Sequence, residues 1–509
     1  MLRIAIVGFG PKGLYALERL LDHASTLGPG SSVEVDLFEP HASPGAGPNY
    51  DPSQPRYLRM NFSAGLVDMW SHSSGAVPAH ARRSLVDWSL SIGEPVDGDS
   101  YPPRAVVGRY LSDGFETLLR HAAPWVTVRL RGSSVERVEP NGSRWDAIVA
   151  GEPAGTYDEV LVATGHVGGS PYPVEQWLGV DRIPAGARVG VRGFALTFID
   201  VALALTEGRA GSFAPLDHPY RLAYSATPEA VSAIVPYSRT GRPMLAKPEP
   251  SIAAAVPDLE RIAERGRADL CELEHPVSLD DVRAIVAHVA AESLAAAGAS
   301  TREQPDTWLE RAVSGAPNPS GLSAYDELER SLDVGCGLAP PDLAWALGHA
   351  WRALYPAIVA TLGGDGLRER DWPAFQRLAA ELERVAFGPA PINAAKLLAL
   401  VDAGVVDLGA LVGPRPAVDV TVDAVLAGPG VDGASLGGRL VADGHARVAR
   451  FRRGLAVAAD GSLAPGLAAI GRSTEDAVIG NDTLSRTLHP LADRWARRVV
   501  ARCRLAGVA

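Results

Sequence analysis

The first thirteen residues constrain the fold of this chain most strongly, because a buried strand runs directly into a glycine-rich turn. Residues 2–7 read as the strand, and apolar residues at helical spacing follow the turn over residues 14–27. In a Rossmann unit the first glycine permits a sharp turn, the second leaves room for a pyrophosphate, and the third lets the helix pack on the strand. The helix N-terminus offers free amides and a favourable dipole to phosphate. The pattern predicts a dinucleotide site formed by Gly8, Gly10, Pro11, Lys12 and Gly13.

A second predicted strand, residues 33–38, ends at Glu39. A carboxylate at this point accepts hydrogen bonds from both ribose hydroxyls and repels a 2′-phosphate. The alternative is a plain strand-turn-helix whose glycines serve packing alone. The order of strand, glycines, helix, strand and acid favours the nucleotide, with Glu39 as a further binding residue.

Two later segments end strands in the same manner. Residues 159–163 form a buried strand followed by Thr164-Gly165-His166, and residues 467–470 run into Gly471-Arg472. Both segments resemble those that border FAD in the two-dinucleotide-domain flavoproteins, which implies that Thr164, Gly165 and Gly471 contact FAD. The chain departs from that pattern at Arg472, where an aspartate is usual. Arg472 could pair with phosphate directly, or Asp476 or Asp482 could take over the role.

A narrower resemblance rests on six short motifs and covers most of the chain. They are Gly-Pro-Lys-Gly at 10–13, Leu-Arg-Met-Asn at 58–61, Tyr-Pro-Pro-Arg at 101–104, Gly-Arg-Tyr-Leu at 108–111, residues 192–200, and Gly-Asn-Asp-Thr-Leu-Ser-Arg at 480–486. They are similar to the bacterial FAD-NAD(P)-binding family, whose best-understood relatives are N-hydroxylating flavin monooxygenases, aspartate N-monooxygenases among them. The resemblance implies that Asn481 and Asp482 lie at the cofactor.

Two further polar residues are candidates for the same site. Asn61 could hydrogen-bond the flavin ring, or it could simply cap a surface loop. Arg104 begins a predicted amphipathic helix, and with Arg109 it could bind a cofactor phosphate or a substrate carboxylate through bidentate bonds. Ordinary helix-surface salt bridges are the alternative for both arginines.

A second nucleotide-binding pattern is degenerate. A predicted strand at residues 188–191 is followed by Gly193 and a helix, with Ala195 where a second glycine is expected. Another strand, residues 231–237, leads to Arg239 and Arg242, whose charges suit the 2′-phosphate of NADPH. The alternatives are a solvated turn carrying two arginines, or a decayed motif that serves only as scaffold.

The middle of the chain, residues 252–412, carries apolar residues at three- and four-residue steps. Proline and glycine pairs divide it into separate helices, which we interpret as a region inserted over the substrate side of the flavin. Its four tryptophans favour core positions over pocket walls. Candidate pocket residues remain unranked (Lys247, His275, Asn393 and Lys396), so the catalytic residues stay unknown. Cysteine spacing gives no metal site.

After residue 418 the pattern predicts short strands, including a hairpin turning at Asp443-Gly444, that rejoin the first sheet. Asp482 is then expected to cap the final helix. The fold class is therefore α/β: a Rossmann-type FAD domain at 1–180, a second NAD(P)H-binding-like α/β unit at 181–250, an inserted helical substrate or cap region at 251–415, and a return to the FAD domain at 416–509.

Charge and composition exclude several partners. The formal net charge of −11 disfavours nucleic acid. No stretch reaches roughly 18 uninterrupted apolar residues, which argues against a membrane span. Three distant cysteines form no disulfide framework, and the cytoplasm is the expected location. The expected partner is a small-molecule substrate, and an oligomer is compatible with the sequence.

The family resemblance implies an NADPH-dependent FAD monooxygenase that hydroxylates a nitrogen of a small, amino-acid-like molecule. Two alternatives stay open. One is a flavin dehydrogenase or oxidase that removes hydride from its substrate without oxygen transfer, and the other is a non-catalytic flavin-binding scaffold. Rapid bleaching of the flavin by NADPH distinguishes the first hypothesis from both alternatives.

Overall fold

The computed structural model describes residues 1–73, 75–165, 171–315, 321–428 and 430–506. The described chain is mixed α/β, as the sequence predicts. The strands are β1 Leu2–Val7, β2 Val33–Phe38, β3 Val126–Arg131, β4 Arg137–Asn141, β5 Arg144–Val149, β6 Glu152–Tyr157, β7 Glu159–Val162, β8 Arg188–Arg192, β9 Ser212–Pro215, β10 Leu222–Ser225, β11 Ala233–Tyr237, β12 Val420–Asp423, β13 Ser462–Ala464 and β14 Leu467–Ala469.

The helices are α1 Pro11–Ser25, α2 Leu85–Ser91, α3 Arg104–His121, α4 Val174–Leu178, α5 Leu196–Ala204, α6 Pro250–Ala254, α7 Leu259–Cys271, α8 Leu279–Ala296, α9 Pro305–Ser314, α10 Ala324–Gly335, α11 Leu343–Leu362, α12 Trp372–Ala386, α13 Pro391–Asp402, α14 Leu436–Ala442 and α15 Leu491–Ala506. Short 3-10 turns connect several of them.

The largest sheet has the strand order β13-β14-β7-β1-β2-β3 and is parallel except for the β13–β14 pair. Its central strands are buried on both faces, which explains why they read as unbroken apolar runs. Helices α1, α3 and α15 cover one face, where Leu14, Leu17 and Trp495 join Ile4 and Ile6 in the core. The β1-α1-β2 connection brings the carboxyl ends of the strands to one edge, where Rossmann folds bind ligands.

The other face of the sheet is covered by the antiparallel β4-β5-β6 layer and by α14. The predicted hairpin around Asp443-Gly444 is wrong, because the residues before this turn form α14. Ser435 caps that helix by accepting a hydrogen bond from the Gly438 amide at 3.0 Å, and Leu436 and Leu440 bury one helical face. Gly444 has a φ of +78° just after the helix end, which suits a helix C-terminus as well as a hairpin.

The second α/β unit is a three-stranded parallel sheet, β11-β8-β12, with α5 packed on it. Strands β8 and β11 correspond to the two strands that were predicted for the degenerate motif. Strand β12 pairs with β8 in parallel, so the expectation that all strands after residue 418 rejoin the first sheet is wrong for this one. The chain reaches β12 only after the whole helical region.

The helical region consists of α6 to α13, and its breaks fall where proline and glycine predict them. Helix α9 starts at Pro305 and ends before Gly315, and α11 ends before Gly363. Of the predicted break at residues 315–319, only Gly315 lies within the described residues. The four tryptophans are core residues, as expected, and belong to one apolar cluster: Trp308, Trp345, Trp351 and Trp372.

The final helix closes the first domain. It starts at Leu491, so Asp482 does not cap it. Its Trp495 indole and Arg498 guanidinium donate to the fully buried carboxylate of Glu159, at 3.1 and 2.6 Å. Across the described ranges, no single helix is long and apolar enough to cross a membrane; one pair bent by 83°, Glu369–Ala386 with Pro391–Asp402, passes the length and composition test together.

Candidate active site

The glycine-rich turn between β1 and α1 has the geometry that its sequence predicts. Gly8 has a φ of +85°, and a β-carbon there would lie 2.8 Å from the carbonyl oxygen of Ala163. A β-carbon at Gly13 would lie 2.5 Å from the carbonyl oxygen of Gly8. Contacts shorter than 3.0 Å force the backbone to move, so protein packing alone requires both glycines.

Gly10 differs from its two neighbours. Its nearest contact for an added β-carbon is the Cα of Gly47, at 3.8 Å, and its φ of −81° is open to any residue. Protein packing therefore leaves Gly10 unexplained. It stands at the N-cap of α1, in front of the free amides of the first turn, where a pyrophosphate can approach a glycine without meeting a side chain.

Glu39 holds the same turn from the second strand. Its carboxylate is buried and accepts hydrogen bonds from the amides of Phe9, at 2.8 Å, and His41, at 3.1 Å. The acid therefore lies at the carboxyl end of β2 beside the glycine turn, where an adenosine ribose is expected in a Rossmann unit. It also fixes the shape of the turn before any ligand binds.

The other two predicted cofactor segments reach the same sheet edge. Strand β7 is hydrogen-bonded to β1, and β14 to β7, so Thr164-Gly165 and Gly471 follow adjacent strand ends. Gly471 has a φ of +78°, and a β-carbon there would lie 3.3 Å from Cγ of Lys12. The aliphatic part of the Lys12 side chain therefore lies between the glycine turn and the loop that begins at Gly471. His166, which follows Gly165 in the sequence, lies outside the described residues.

Lys12 lies in the first turn of α1 and donates to the carbonyl oxygen of Ser485 at 3.3 Å. Burial lowers its pKa to about 8, and the carboxylates of Glu475 and Asp482 partly oppose this shift. The amine is therefore poised between its charged and neutral forms. An added phosphate nearby would favour the charged form.

The loop after β14 carries the remaining residues that the sequence predicts to bind FAD. Arg472, at the position where the chain departs from the flavoprotein pattern, pairs with Asp482 at 3.0 Å and also donates to the carbonyl of Ala427. Asn481 is buried and donates to Thr474 Oγ1 at 2.6 Å. Asp476, the other proposed substitute, is held by the Gln376 amide at 2.8 Å.

A cavity of about 670 Å³ lies where the parts of the chain meet. Its walls include Asn61 and Arg104 from the first domain, Asp200 from the second unit, Glu383 from the helical region and Asp482 from the C-terminal loop. This size falls within the usual range of small-molecule sites, about 300–1,000 Å³. One of its lining residues is Ser485, whose carbonyl oxygen accepts the hydrogen bond from Lys12.

The structure divides the two arginines of α3. The Arg104 guanidinium pairs with the buried carboxylate of Asp200 at 2.7 Å and lies over the Tyr172 ring, 5.9 Å from its centroid. Arg109 instead forms a bidentate pair with Glu94 at the surface, at 2.9 and 3.0 Å. Arg104 therefore lies in the cavity wall, and Arg109 is the ordinary helix-surface salt bridge.

Asn61 also lies in the cavity wall rather than in a solvent-exposed loop. Its side-chain amide donates to the carbonyl of Phe387 at 3.2 Å, and its own backbone carbonyl accepts from the Lys247 ammonium. Three segments that are remote in sequence therefore meet at this point. Lys247 and Asn393, two of the unranked pocket candidates, line the cavity. Lys396 pairs with Glu207, and His275 is exposed.

The degenerate motif lies on the second unit, and its helix α5 also contributes residues to the cavity wall. Gly193 has a φ of +110°, which favours glycine, and a β-carbon there would also lie 3.3 Å from the Ala424 carbonyl in the segment after β12. Arg239 is exposed in the turn after β11. Arg242 is committed to α12, where it pairs with Glu381 at 2.7 Å. Of these two arginines, only Arg239 is exposed, as the predicted binding of a 2′-phosphate requires.

Sequence reasoning did not single out three acidic residues of the cavity: Asp200, Glu383 and Glu475. Asp200 interrupts an apolar helix and Glu383 lies among apolar residues near the end of α12. A carboxylate within an apolar stripe is costly to bury, and this is the signal that could have singled them out. The grouping of Tyr355, Glu475 and Asp482 with Glu383 could not be read from the sequence, because it depends on tertiary packing.

Taken over the described residues, no group of three or more histidine, cysteine, aspartate or glutamate side chains could hold a metal ion. The fold and the site define the class: a Rossmann-type dinucleotide-binding protein with a polar cavity lined by several parts of the chain. Comparison narrows this class. Residues 5–167 match the model of a family described as FAD-NAD(P)-binding.

Curated relatives match a similar length of the chain. An L-aspartate N-monooxygenase (nitrosuccinate-forming) of Streptomyces cremeus is 30% identical over 264 residues, which cover 43% of this chain and 40% of the relative. A nitrosuccinic acid synthase of Aspergillus oryzae is 28% identical over 239 residues, which cover 41% of this chain and 36% of the relative. The chain therefore spans about two fifths of the length of the curated relatives it matches.

Solved structures align over more of the chain but less closely. A flavin monooxygenase from Stenotrophomonas maltophilia covers 100% of both chains at 15% identity and a TM-score of 0.39. A lysine monooxygenase from Nocardia farcinica covers 53% of this chain and 64% of that one, at 16% identity and a TM-score of 0.29. TM-scores this low do not by themselves establish a shared fold.

Proposed function

We propose that this protein is an FAD- and NADPH-dependent monooxygenase that hydroxylates a nitrogen of a small, amino-acid-like substrate. The glycine turn and a polar cavity of suitable size together carry the proposal, since both contact the segment around Ser485. The names of the curated relatives supply the reaction class: both act in forming nitrosuccinate, and one is named as an N-monooxygenase of L-aspartate.

The residues of the first domain fit FAD. Gly10 leaves space in front of the α1 amides that no protein atom requires, and Glu39 is placed for an adenosine ribose. Lys12, Thr164, Gly165, Gly471, Asn481 and Asp482 would line the remainder of the cofactor. Pro11 fixes the first turn of α1 without removing a useful amide, since proline is favoured at this position.

When bound, FAD reduced by NADPH supplies the chemistry that activates molecular oxygen for transfer to nitrogen. The protein has to bind and orient the substrate, keep water out and leave the reacting nitrogen without its proton. The cavity walls provide apolar surface for exclusion of water through Ile199, Phe375, Ile479 and Leu488. The second unit is expected to hold NADPH, with Arg239 at the 2′-phosphate.

The proposal is tested with the FAD-loaded chain. NADPH consumption and oxygen uptake are recorded while the twenty standard L-amino acids are added one at a time, and the products are analysed by mass spectrometry. We expect one amino acid to raise NADPH consumption and to gain one oxygen atom on nitrogen. Flavin reduced by a substrate in the absence of NADPH would instead indicate a dehydrogenase or oxidase, and no reduction by any donor would indicate a non-catalytic flavin protein.

A further inference from the structure

The cavity contains a buried cation that the protein does not neutralise. Lys247 is 9% exposed, donates to the backbone carbonyl of Asn61 and lies 5.6 Å from the centroid of the Phe387 ring. Within the described ranges, no carboxylate lies at ion-pair distance from its ammonium. Lys396, the other buried lysine, is paired with Glu207. Lys247 therefore has an anion site open on its cavity side.

A carboxylate in the same cavity is equally uncompensated. Glu383 lies on the wall formed by α12, and its side chain makes neither a hydrogen bond nor an ion pair in the described part of the chain. Its charged neighbours are acids, Asp476 and Asp482. Burial, together with these two acids, raises the pKa of Glu383 to about 7. Burial and the Arg352 guanidinium lower the pKa of Lys247 to about 7.

Both groups line the same cavity, and Phe387 lies next to each of them. The Phe387 amide donates to the Glu383 carbonyl at 2.8 Å, so Glu383 and Phe387 are one helical turn apart, and the Lys247 ammonium lies against the Phe387 ring. Asn393, on the adjacent helix α13, is 5% exposed, and its carboxamide oxygen has no hydrogen-bond partner among the described residues. The chamber thus presents a cation, a carboxylate and an unused amide.

An unneutralised buried charge is costly, and a ligand that brings the opposite charge removes the cost. A zwitterion satisfies both poles at once. We infer that this cavity binds a free amino acid with its carboxylate on Lys247 and its amino nitrogen on Glu383, and that Glu383 removes the ammonium proton. In that step an N–H bond breaks, an O–H bond forms on Glu383, and the amine keeps the electron pair that it needs to accept oxygen.

This assignment rests on the proposed function and names the residues that select its substrate. The charged and titratable groups that influence this proton transfer come from three parts of the chain. The C-terminal segment contributes Glu475, Asp476, Asp482 and Arg453, helix α11 contributes Tyr355 and Arg352, and the third part is Lys247 itself. Burial, together with the nearby Asp482 and Asp476 carboxylates, favours the protonated form of Glu383. A ligand ammonium shifts the balance toward the ionised form that can accept a proton.

The test uses the FAD-loaded chain and calorimetric titration with the twenty standard L-amino acids, followed by the deaminated analogue of whichever one binds. Lys247→Met is expected to weaken binding about 10- to 100-fold, as the loss of a charge-assisted contact does. Lys247→Arg is expected to restore most of it. The matched control is Lys396→Met, which removes a buried lysine outside the cavity and is expected to leave the amino-acid Kd unchanged.

Glu383 is tested by the split between binding and turnover. Glu383→Gln can still accept a hydrogen bond, so the Kd is expected to change by less than about 10-fold while kcat falls by at least about 100-fold. Glu383→Asp is expected to recover part of kcat. Far-UV circular dichroism and flavin content check that each variant is folded and loaded.

The inference is overturned if no amino acid binds the wild-type protein, if the deaminated analogue binds as tightly as its parent, or if Lys247→Met and Glu383→Gln behave as wild type. Calorimetry needs no NADPH, so it judges the binding assignment separately. A chain that binds an amino acid through these residues but is not reduced by NADPH would contradict the proposed reaction and leave the ligand assignment intact.

Discussion

The guanidinium of Arg104 lies 2.7 Å from the carboxylate of Asp200, and this pair joins α3 of the first domain to α5 of the second unit. Tyr172 also donates to Asp200, and Arg104 donates to the Arg59 carbonyl at 3.2 Å. The side chain of Asp200 is 3% exposed. The pair is therefore a structural connection as well as a part of the cavity wall.

Breaking this pair is expected to be far more costly than breaking its neighbour on the same helix. Arg104→Met leaves Asp200 buried and without its cation, so the free energy of unfolding should fall by about 3–5 kcal/mol. Arg109→Met removes an exposed pair, for which the expected loss is at most about 1 kcal/mol. Urea unfolding of both variants measures the difference, and equal losses would contradict the buried role of Arg104.

The glycine turn offers a comparison of a ligand effect with a packing effect. Gly10→Ala meets no protein atom closer than 3.8 Å, so the fold should persist while the FAD Kd rises at least about 10-fold. Gly13→Ala places a β-carbon 2.5 Å from the Gly8 carbonyl and should destabilise the protein by about 1–3 kcal/mol.

Fluorescence titration with FAD and thermal unfolding separate the two effects. The ligand role of Gly10 is contradicted if Gly10→Ala binds FAD as tightly as wild type, or if its weaker binding merely follows a loss of fold.

Arg239 provides a test of nucleotide choice. If its exposed guanidinium binds a 2′-phosphate, Arg239→Ala should raise the NADPH Kd about 10- to 100-fold and leave the NADH Kd nearly unchanged. Arg242→Ala is the contrast, because it leaves Glu381 with Arg384 as its remaining cationic partner and should lower stability before it alters nucleotide preference. Equal effects of Arg239→Ala on both nucleotides would place the 2′-phosphate elsewhere.

Ionisation of Glu383 gives the pH dependence of stability. The pKa of this carboxyl rises from an ordinary value of 4.5 in the unfolded chain to about 7 in the fold. The folded protein holds the proton more tightly, so the stabilising contribution is complete below pH 4.5 and is lost as pH rises through about 7. Glu383→Gln should therefore gain stability relative to wild type as pH increases across this window.

Chemical denaturation at several pH values measures this difference. Desolvation lowers the pKa values of the half-buried histidines His349 and His489, and their contribution runs in the opposite direction. The comparison is therefore made between variant and parent at each pH. Glu272→Gln, at an exposed position, is the control and should show no such trend. A flat difference for Glu383→Gln would contradict its buried environment.

The first domain could be predicted from sequence because its signals are local. Strand β1, the glycine turn, α1 and Glu39 are consecutive, and each residue's role follows from backbone geometry within one supersecondary unit. Trp351 and Trp372 were likewise expected in the core, since tryptophans at helical spacing pack more often than they bind ligands. Each of these features depends on sequence patterns that are local and not on long-range contacts.

The errors arose where one local signal fits two structures. Asp443-Gly444 ends helix α14, but a glycine with positive φ also suits a hairpin turn. Val420–Asp423 has the pattern of a short strand, and nothing local indicates which of two sheets it joins. The meeting of Asn61, Lys247 and Phe387 depends on residues up to 326 positions apart, which no window of sequence can reveal.

The visible absorption spectrum of the purified chain tests the central claim most directly. The protein is mixed with excess FAD, freed of unbound cofactor by gel filtration, and then titrated with NADPH without oxygen. We predict that flavin is retained in stoichiometric amount and that its absorbance near 450 nm is bleached by NADPH. A folded protein that leaves the column without flavin would contradict the account, since no other part of the site would then have a role in the proposed reaction.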